Sequence, residues 1–272
     1  ELLPRMFPDF PTAKFISFVE RFRAAIVAGV EQNTWLSPQG KAGAIEKMKT
    51  ARLQLVKPMN DEEWDFNPKA KYYNNKPILN SRNLNEAEIK KMLVEFKTPR
   101  DPNRWGMSPL TVNAYYSTSD NKFVLPIGIL QYPFYDPKLT DEVNFGGIGA
   151  VIGHELGHGI DDKGSKYDSK GKLHQWMTDG DLNEFQKRSS TLTEEFSKIG
   201  HDGVLTLGEN TADLVGLTFA YHAAFPDGQA TVEQKKNFFL QFARVWCYTA
   251  RPTMIARLLK TDSHSMGSAR TN

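Results

Sequence analysis

The stretch His154-Glu155-Leu156-Gly157-His158 places two histidines four residues apart, with a glutamate directly after the first. Four residues make about one turn of an α-helix, so both imidazoles would lie on the same face. That spacing suits two ligands of one tetrahedral zinc ion. Glu155 would lie beside the metal without binding it, where it can take a proton from a metal-activated water molecule.

The same five residues could also be two surface histidines with a glutamate between them by chance. The preceding residues 148–153 are small or apolar, which indicates a buried helix. Each glycine in a helix interior costs roughly 1 kcal/mol, so we expect close packing around this one. A buried histidine needs a polar partner, and a metal supplies one. The glycines are Gly146, Gly147, Gly149, Gly153, Gly157 and Gly159.

Two further carboxylates, Glu209 and Asp213, are again four residues apart and would share one helix face. Glu209 is the predicted third metal ligand, and Asp213 would accept a hydrogen bond from a ligand histidine. The alternative is an acidic first turn that favours the helix dipole. Asp161, three residues after His158, could hold the other histidine, or could simply be a carboxylate at a helix end.

The spacing excludes two classes of zinc peptidase. Metzincins need a glycine and a third histidine shortly after the second, where this chain has Asp161 and Gly164. Aminopeptidase-type enzymes place a glutamate after eighteen intervening residues, where this chain has Met177. A long gap to a glutamate that is followed four residues later by an aspartate is thermolysin-like.

Several separate motifs, in order along nearly the whole chain, resemble the neprilysin family of zinc endopeptidases. That family also contains endothelin-converting enzymes and bacterial oligopeptidases. The matching stretches are residues 112–116, 146–162, 208–213, 245–247 and 262–265, together with Arg270.

The resemblance implies one zinc ion per chain, with His154, His158 and Glu209 as its ligands. Glu155 would be the general base, and His264 would stabilise the oxyanion of the reaction. Asp213, also part of the catalytic set, and Asp161 would hold the two histidines from behind.

The resemblance also implies a peptide-binding cleft. Asn113 and the backbone of Ala114 would hold an extended substrate by hydrogen bonds, as an added strand does. Arg270 would bind a substrate carbonyl. The hydrophobic pocket beyond the cut would contain six residues that could equally be ordinary core: Ile129, Phe134, Ala150, Val151, Val245 and Trp246.

The implied fold is a mainly helical α+β, thermolysin-like zincin with a small sheet. Residues 1–100 would be a helical segment packed on a catalytic core of residues 101–272. The family's large N-terminal helical domain and its C-terminal tail would be absent from this chain and would be its partners.

The implied function is zinc-dependent hydrolysis of peptide bonds in oligopeptides, with a hydrophobic residue after the cut. The alternative is a zinc-bound but non-catalytic fragment that binds peptides or regulates a larger assembly.

Composition sets broader bounds. The 272 residues carry a net charge of only +2, and no basic stripe suggests a nucleic-acid partner. No apolar run is long enough for a transmembrane segment. The single cysteine, Cys247, allows no internal disulfide and is predicted to be a buried packing residue. Because animal members of the family are disulfide-rich, we expect a bacterial protein. We slightly favour an exported protein over a cytoplasmic one, and the sequence is compatible with both.

The local pattern predicts helices over about 11–30, 37–55, 178–199, 209–224, 232–243 and 252–259. Asn85 with Glu88 predicts the start of a further helix. Strands are expected over 112–116 and 122–126, and a polar loop over 58–77 would be anchored by Trp64 and Phe66.

Overall fold

The computed structural model describes residues 3–60, 63, 70–99 and 101–271. Helices dominate this part of the chain, and its strands form one small sheet, which confirms the predicted mainly helical α+β class. The helices are α1 (Leu3–Met6), α2 (Thr12–Gln32), α3 (Pro38–Thr50), α4 (Pro77–Glu95), α5 (Asp141–Asn144), α6 (Ala150–Gly157), α7 (Asp179–Lys198), α8 (Leu207–Ala224), α9 (Val232–Val245), α10 (Pro252–Thr261) and α11 (Gly267–Arg270).

The sheet contains β1 (Arg52–Val56), β2 (Tyr115–Ser117) and β3 (Lys122–Pro126), in the order β1-β3-β2. The central strand β3 is fully buried, parallel to β1 and antiparallel to β2. Among the described strands β2 therefore lies at an edge of the sheet, the kind of position at which an added strand can pair.

Two predicted boundaries near the sheet are wrong. The second helix ends at Thr50 rather than near Leu55, since residues 52–56 pair along buried β3. The strand predicted from Val112 begins only at Tyr115. Just before this strand, the Asn113 side chain accepts a hydrogen bond from the backbone N–H of Ala114 at 2.9 Å. This N–H is therefore paired with a neighbouring side chain and not with another strand.

The helix predicted to start near Asn85 begins earlier. Pro77 occupies the first turn of α4, where its fixed φ suits a helix and its missing N–H is no loss. Asn85 therefore lies inside the helix. The predicted anchors Trp64 and Phe66 fall outside the described residues.

The apolar face of α2 forms much of the core, as its periodicity predicted. Phe18 stacks on Phe145 with ring centroids 4.1 Å apart, and Phe22 is fully buried nearby. The same core joins β1 and α2 to the elements beyond residue 101. The division of the chain at residue 100 remains a prediction. Among the described helices, none is both long and apolar enough to cross a membrane.

The histidine motif lies at the end of one continuous helical stretch. It consists of α5, a π-helical turn over Phe145–Gly149, and α6. An added methyl group at Gly146 would lie 2.2 Å from the carbonyl oxygen of Phe238, and one at Gly147 would lie 2.5 Å from that of Phe134. These approaches confirm the expected close packing around the glycine-rich helix.

Helices α6 and α8 touch backbone to backbone. A Cβ on Gly216 would lie 2.3 Å from the backbone nitrogen of His154, and one on Gly153 would lie 2.5 Å from the carbonyl oxygen of Gly216. No side chain fits at such distances. The contact sets His154 in α6 and His158 directly after it opposite the first two turns of α8, which carry Glu209 and Asp213.

Gly216→Ala is expected to lower the free energy of unfolding by about 1–3 kcal/mol or more, because the methyl group forces α6 and α8 apart. Urea unfolding followed by circular dichroism measures this loss. Gly180→Ala is the matched control: Gly180 is exposed in the first turn of α7, where a Cβ would make only an ordinary contact with the hydroxyl oxygen of Thr178 at 3.8 Å. It should stabilise the helix by about 0.5–1 kcal/mol. Equal effects of the two changes would contradict the assigned packing.

Candidate metal centre

The two motif histidines each spend one ring nitrogen on a carboxylate. Nδ1 of His154 lies 2.8 Å from Oδ1 of Asp213, and Nδ1 of His158 lies 2.8 Å from Oδ2 of Asp161. An ionised carboxylate can only accept, so each Nδ1 is the donor. A neutral ring in this tautomer presents a lone pair at Nε2.

Both lone pairs converge on one oxygen of Glu209. The two Nε2 atoms are 3.2 Å apart, and Oε2 of Glu209 is 3.2 Å from Nε2 of His154 and 3.4 Å from that of His158. Oε2 is buried and receives no well-formed hydrogen bond from the described residues. Three acceptors that face one another need a cation between them.

The three atoms fit a tetrahedral metal ion. Ligands held at about 2.0–2.1 Å in a tetrahedron are about 3.3 Å from one another, which matches all three separations. His154, His158 and Glu209 therefore form a group that could hold a metal ion. The predicted third ligand, about fifty residues beyond the motif, is brought to the predicted place.

Without a cation, the centre attracts protons. Burial opposes charge on both histidines, but the neighbouring carboxylates raise the pKa of His154 to about 9 and that of His158 to about 10. Burial opposes ionisation of Glu209 as well, yet the nearby imidazoles hold its pKa far below the usual range. The protein environment thus favours positive charge between these groups, which a metal ion supplies.

Glu155 lies beside these ligands with its side chain almost fully buried. Burial raises the pKa of its carboxyl group, although the surrounding histidines oppose the shift. The described residues around this carboxylate act on it through burial and charge, not through hydrogen bonds. An unengaged carboxylate with a raised pKa can both take up and release a proton.

His264 reaches the centre from the loop between α10 and α11. Its Nε2 lies 3.1 Å from Oε2 of Glu209, and its Nδ1 lies 3.0 Å from Oδ1 of Asp262. The closeness of Glu209 raises the pKa of His264, against the effect of burial. Its side chain is 46% exposed, so it can meet a ligand that enters from solvent.

Two serines that the sequence reasoning passed over hold this loop on α8. Ser263 Oγ donates to Oε1 of Glu209 at 3.3 Å, which leaves Oε2 for the metal. Ser265 Oγ donates to Oδ1 of Asn210 at 2.7 Å in a buried position. Their positions in the sequence could have indicated this role, because both serines flank His264 and Asn210 follows Glu209.

Asp213 binds two partners at once. Besides His154, it accepts hydrogen bonds from Nε of Arg270 at 2.7 Å and from Nη2 at 2.5 Å. The guanidinium lies over the ring of Trp246, 3.5 Å from its centroid. The structure therefore places Arg270 behind a histidine ligand, and its contact with a substrate carbonyl remains a prediction.

The other predicted substrate residues lie around the same region. Asn113 is exposed and Ala114 is buried, immediately before edge strand β2. Ile129 and Val151 belong to the core cluster, and Phe134 and Trp246 pack against it. Ala150 is buried, and Val245 ends α9 half-buried. Their role as a substrate pocket remains a prediction.

The prediction for the single cysteine is wrong. Cys247 is exposed, because α9 ends at Val245 and the chain leaves the core there.

The sequence model of peptidase family M13 matches residues 113–272, which include every residue of this centre. The chain belongs to peptidase family M13. This match confirms the resemblance from which the zincin fold and the ligand set were predicted.

Curated relatives in M13 match over most of this chain. The endothelin-converting enzyme homolog of Locusta migratoria is 33% identical over 268 residues, covering 92% of this chain and 37% of that protein. Neprilysin of Homo sapiens is 32% identical over 279 residues, covering 93% of this chain and 37% of that protein. The chain thus spans little more than a third of the length of these relatives.

Solved M13 structures share the fold. The zinc metalloprotease ZMP1 of Mycobacterium tuberculosis, in complex with an inhibitor, superposes with a TM-score of 0.88 and 30% identity, over 99% of this chain and 43% of that one. PepO of Lactobacillus rhamnosis superposes with a TM-score of 0.87 and 29% identity, over 96% of this chain and 42% of that one. This agreement confirms the predicted zincin architecture.

Proposed function

We propose that this chain is the catalytic region of a zinc endopeptidase that cleaves oligopeptides on the amino side of a hydrophobic residue. The observation that carries the proposal is the convergence of three acceptors on one point, with the unengaged carboxylate of Glu155 beside them. Membership of M13, where named relatives are metallopeptidases, supports the reaction class.

Zinc is the metal that this donor set suits best, because two imidazoles and one carboxylate with an open position are typical of catalytic zinc. When bound, zinc acidifies water and polarises the scissile carbonyl. Glu155 takes the proton from the attacking water and returns it to the leaving amine. Asp213 and Asp161 keep each histidine in the tautomer that offers Nε2.

The substrate is proposed to lie extended along the edge of the sheet, beside β2. Asn113 and the backbone of Ala114 lie just before that strand, and a bound peptide would replace the hydrogen bond that joins the Ala114 N–H to the Asn113 side chain. The residues around Phe134 and Trp246 would receive the apolar side chain after the cut. Binding an extended backbone at an exposed edge favours flexible peptides over folded proteins.

His264→Ala is expected to lower kcat by about 10²–10³-fold, because the donor that meets the developing negative charge on the carbonyl oxygen is lost. Zinc affinity should change little, since the ligand set remains complete. Steady-state kinetics and chelator competition measure the two quantities separately. Loss of zinc in parallel with activity would instead make His264 a support of the metal site.

The direct test is cleavage of a mixed peptide library by the zinc-loaded chain, with cut sites read by mass spectrometry. We expect cuts before Phe, Leu or Ile, their loss after dialysis against a chelator, and recovery on addition of zinc. Cuts without this preference would overturn the proposed specificity. Stoichiometric zinc binding with no cleavage would favour a non-catalytic, peptide-binding role.

A further inference from the structure

Lys47 on α3 is a completely buried lysine close to the metal centre. Its Nζ donates to three backbone carbonyl oxygens: Gly159 at 2.6 Å, Gly164 at 2.7 Å and Tyr167 at 2.7 Å. These carbonyls lie more than a hundred residues further along the chain. A buried ammonium without hydrogen-bond partners is strongly unfavourable. The three carbonyl groups are therefore what allows Lys47 to be buried here.

The three contacts use the full donor capacity of an ammonium group. A neutral amine has only two N–H donors, so the complete set requires the charged form. Burial lowers the pKa of Lys47 to about 8, and the nearby carboxylates of Asp161 and Asp168 oppose that effect. The side chain therefore contributes both hydrogen bonds and a positive charge to the segment that carries these three carbonyl groups.

The turn that Lys47 holds is the one that presents Asp161 to His158. Oδ2 of Asp161 lies 2.8 Å from Nδ1 of His158, and Oδ1 accepts from the backbone of Lys163 at 2.9 Å and of Gly164 at 2.6 Å. Gly159 directly follows His158, and Gly164 directly contacts Asp161. Lys47 thus ties together both ends of the segment that fixes this carboxylate.

We propose that Lys47 is a positioning residue for the metal centre, which acts through the turn of residues 159–164 to hold Asp161 against His158. Lys47 precedes the part of the chain that the M13 model matches, residues 113–272. A helix from the first fifty residues therefore helps to set the orientation of a ligand imidazole. The inference rests on the proposed metal site and is independent of peptide cleavage.

Lys47→Met tests the proposal, because methionine retains much of the length and removes the donors and the charge. We expect zinc affinity, measured by competition with a chromophoric chelator, to fall about 10-fold or more, as for loss of an outer partner of a ligand. The visible absorption spectrum of the Co²⁺-substituted protein should change, because one imidazole is less firmly oriented. In an Asp161→Asn background, the same change should cost less than about 2-fold.

Two controls separate positioning from stability. Lys49→Met alters an exposed lysine on the same helix and should leave zinc affinity and the Co²⁺ spectrum unchanged. Ile26→Ala weakens the core by about 2–5 kcal/mol through a buried residue of α2, and should lower stability without the spectral change.

Three outcomes would overturn the proposal. In the first, the Lys47 variant is less stable but binds zinc as tightly as the parent with the same spectrum. In the second, its effect is undiminished in the Asp161→Asn background. In the third, the parent itself binds no zinc, which would overturn the proposed function as well; the first two would leave it standing.

Discussion

Glu155→Gln is expected to lower kcat for peptide cleavage by about 10²–10⁴-fold, the usual contribution of a general acid–base residue. Glutamine has nearly the same shape but cannot take a proton from water. Because Glu155 is not one of the three converging ligands, zinc should remain bound. Kinetics on a defined peptide and metal analysis of the same sample measure both effects.

Glu195→Gln, an exposed change on α7 far along the chain from the motif, is the control and should retain full activity. If Glu155→Gln kept activity within about tenfold of the parent, Glu155 could not be the proton carrier. Activity lost together with zinc would mean that Glu155 supports the metal site instead.

Glu209→Gln is expected to weaken zinc binding by more than about 100-fold, beyond the 10–100-fold typical for loss of an outer partner. The amide removes the negative charge that balances the ion and offers a poorer ligand oxygen. Zinc at 100 times its Kd should stabilise the parent by about 2.7 kcal/mol. Thermal unfolding with and without zinc should show this shift in the parent and lose it in the variant.

Glu233→Gln, exposed in the first turn of α9, should respond to zinc as the parent does. An unchanged zinc-induced shift in Glu209→Gln would show that the metal binds without this carboxylate. The assignment of the third ligand would then be wrong.

The metal centre was predictable because its residues follow helical spacing. His154 and His158 are about one turn apart, as are Glu209 and Asp213, and the repeat of about 3.6 residues per turn is a property of the backbone alone. What spacing could not give is the distance between the two helices. That distance is fixed by Gly153 and Gly216, whose approach appears only once the helices are packed.

The error at the end of α3 arose because distant pairing outweighed local preference. Residues 52–56 continue a helical pattern but form β1, because β3 offers a buried partner that no local window contains. Lys47 could not be singled out either, since its carbonyl partners lie more than a hundred residues away. Every residue has a backbone carbonyl group, so the sequence does not show which of them will accept a hydrogen bond.

The backbone contact of α6 with α8 also bears on how the protein matures. His154 and Asp213 are 59 residues apart in sequence, so a growing chain exposes the two histidines well before the helix that completes the site. Synthesis proceeds at about 5–20 residues per second, which separates the two events by several seconds. The full set of three candidate ligands therefore exists only after α8 has docked on α6.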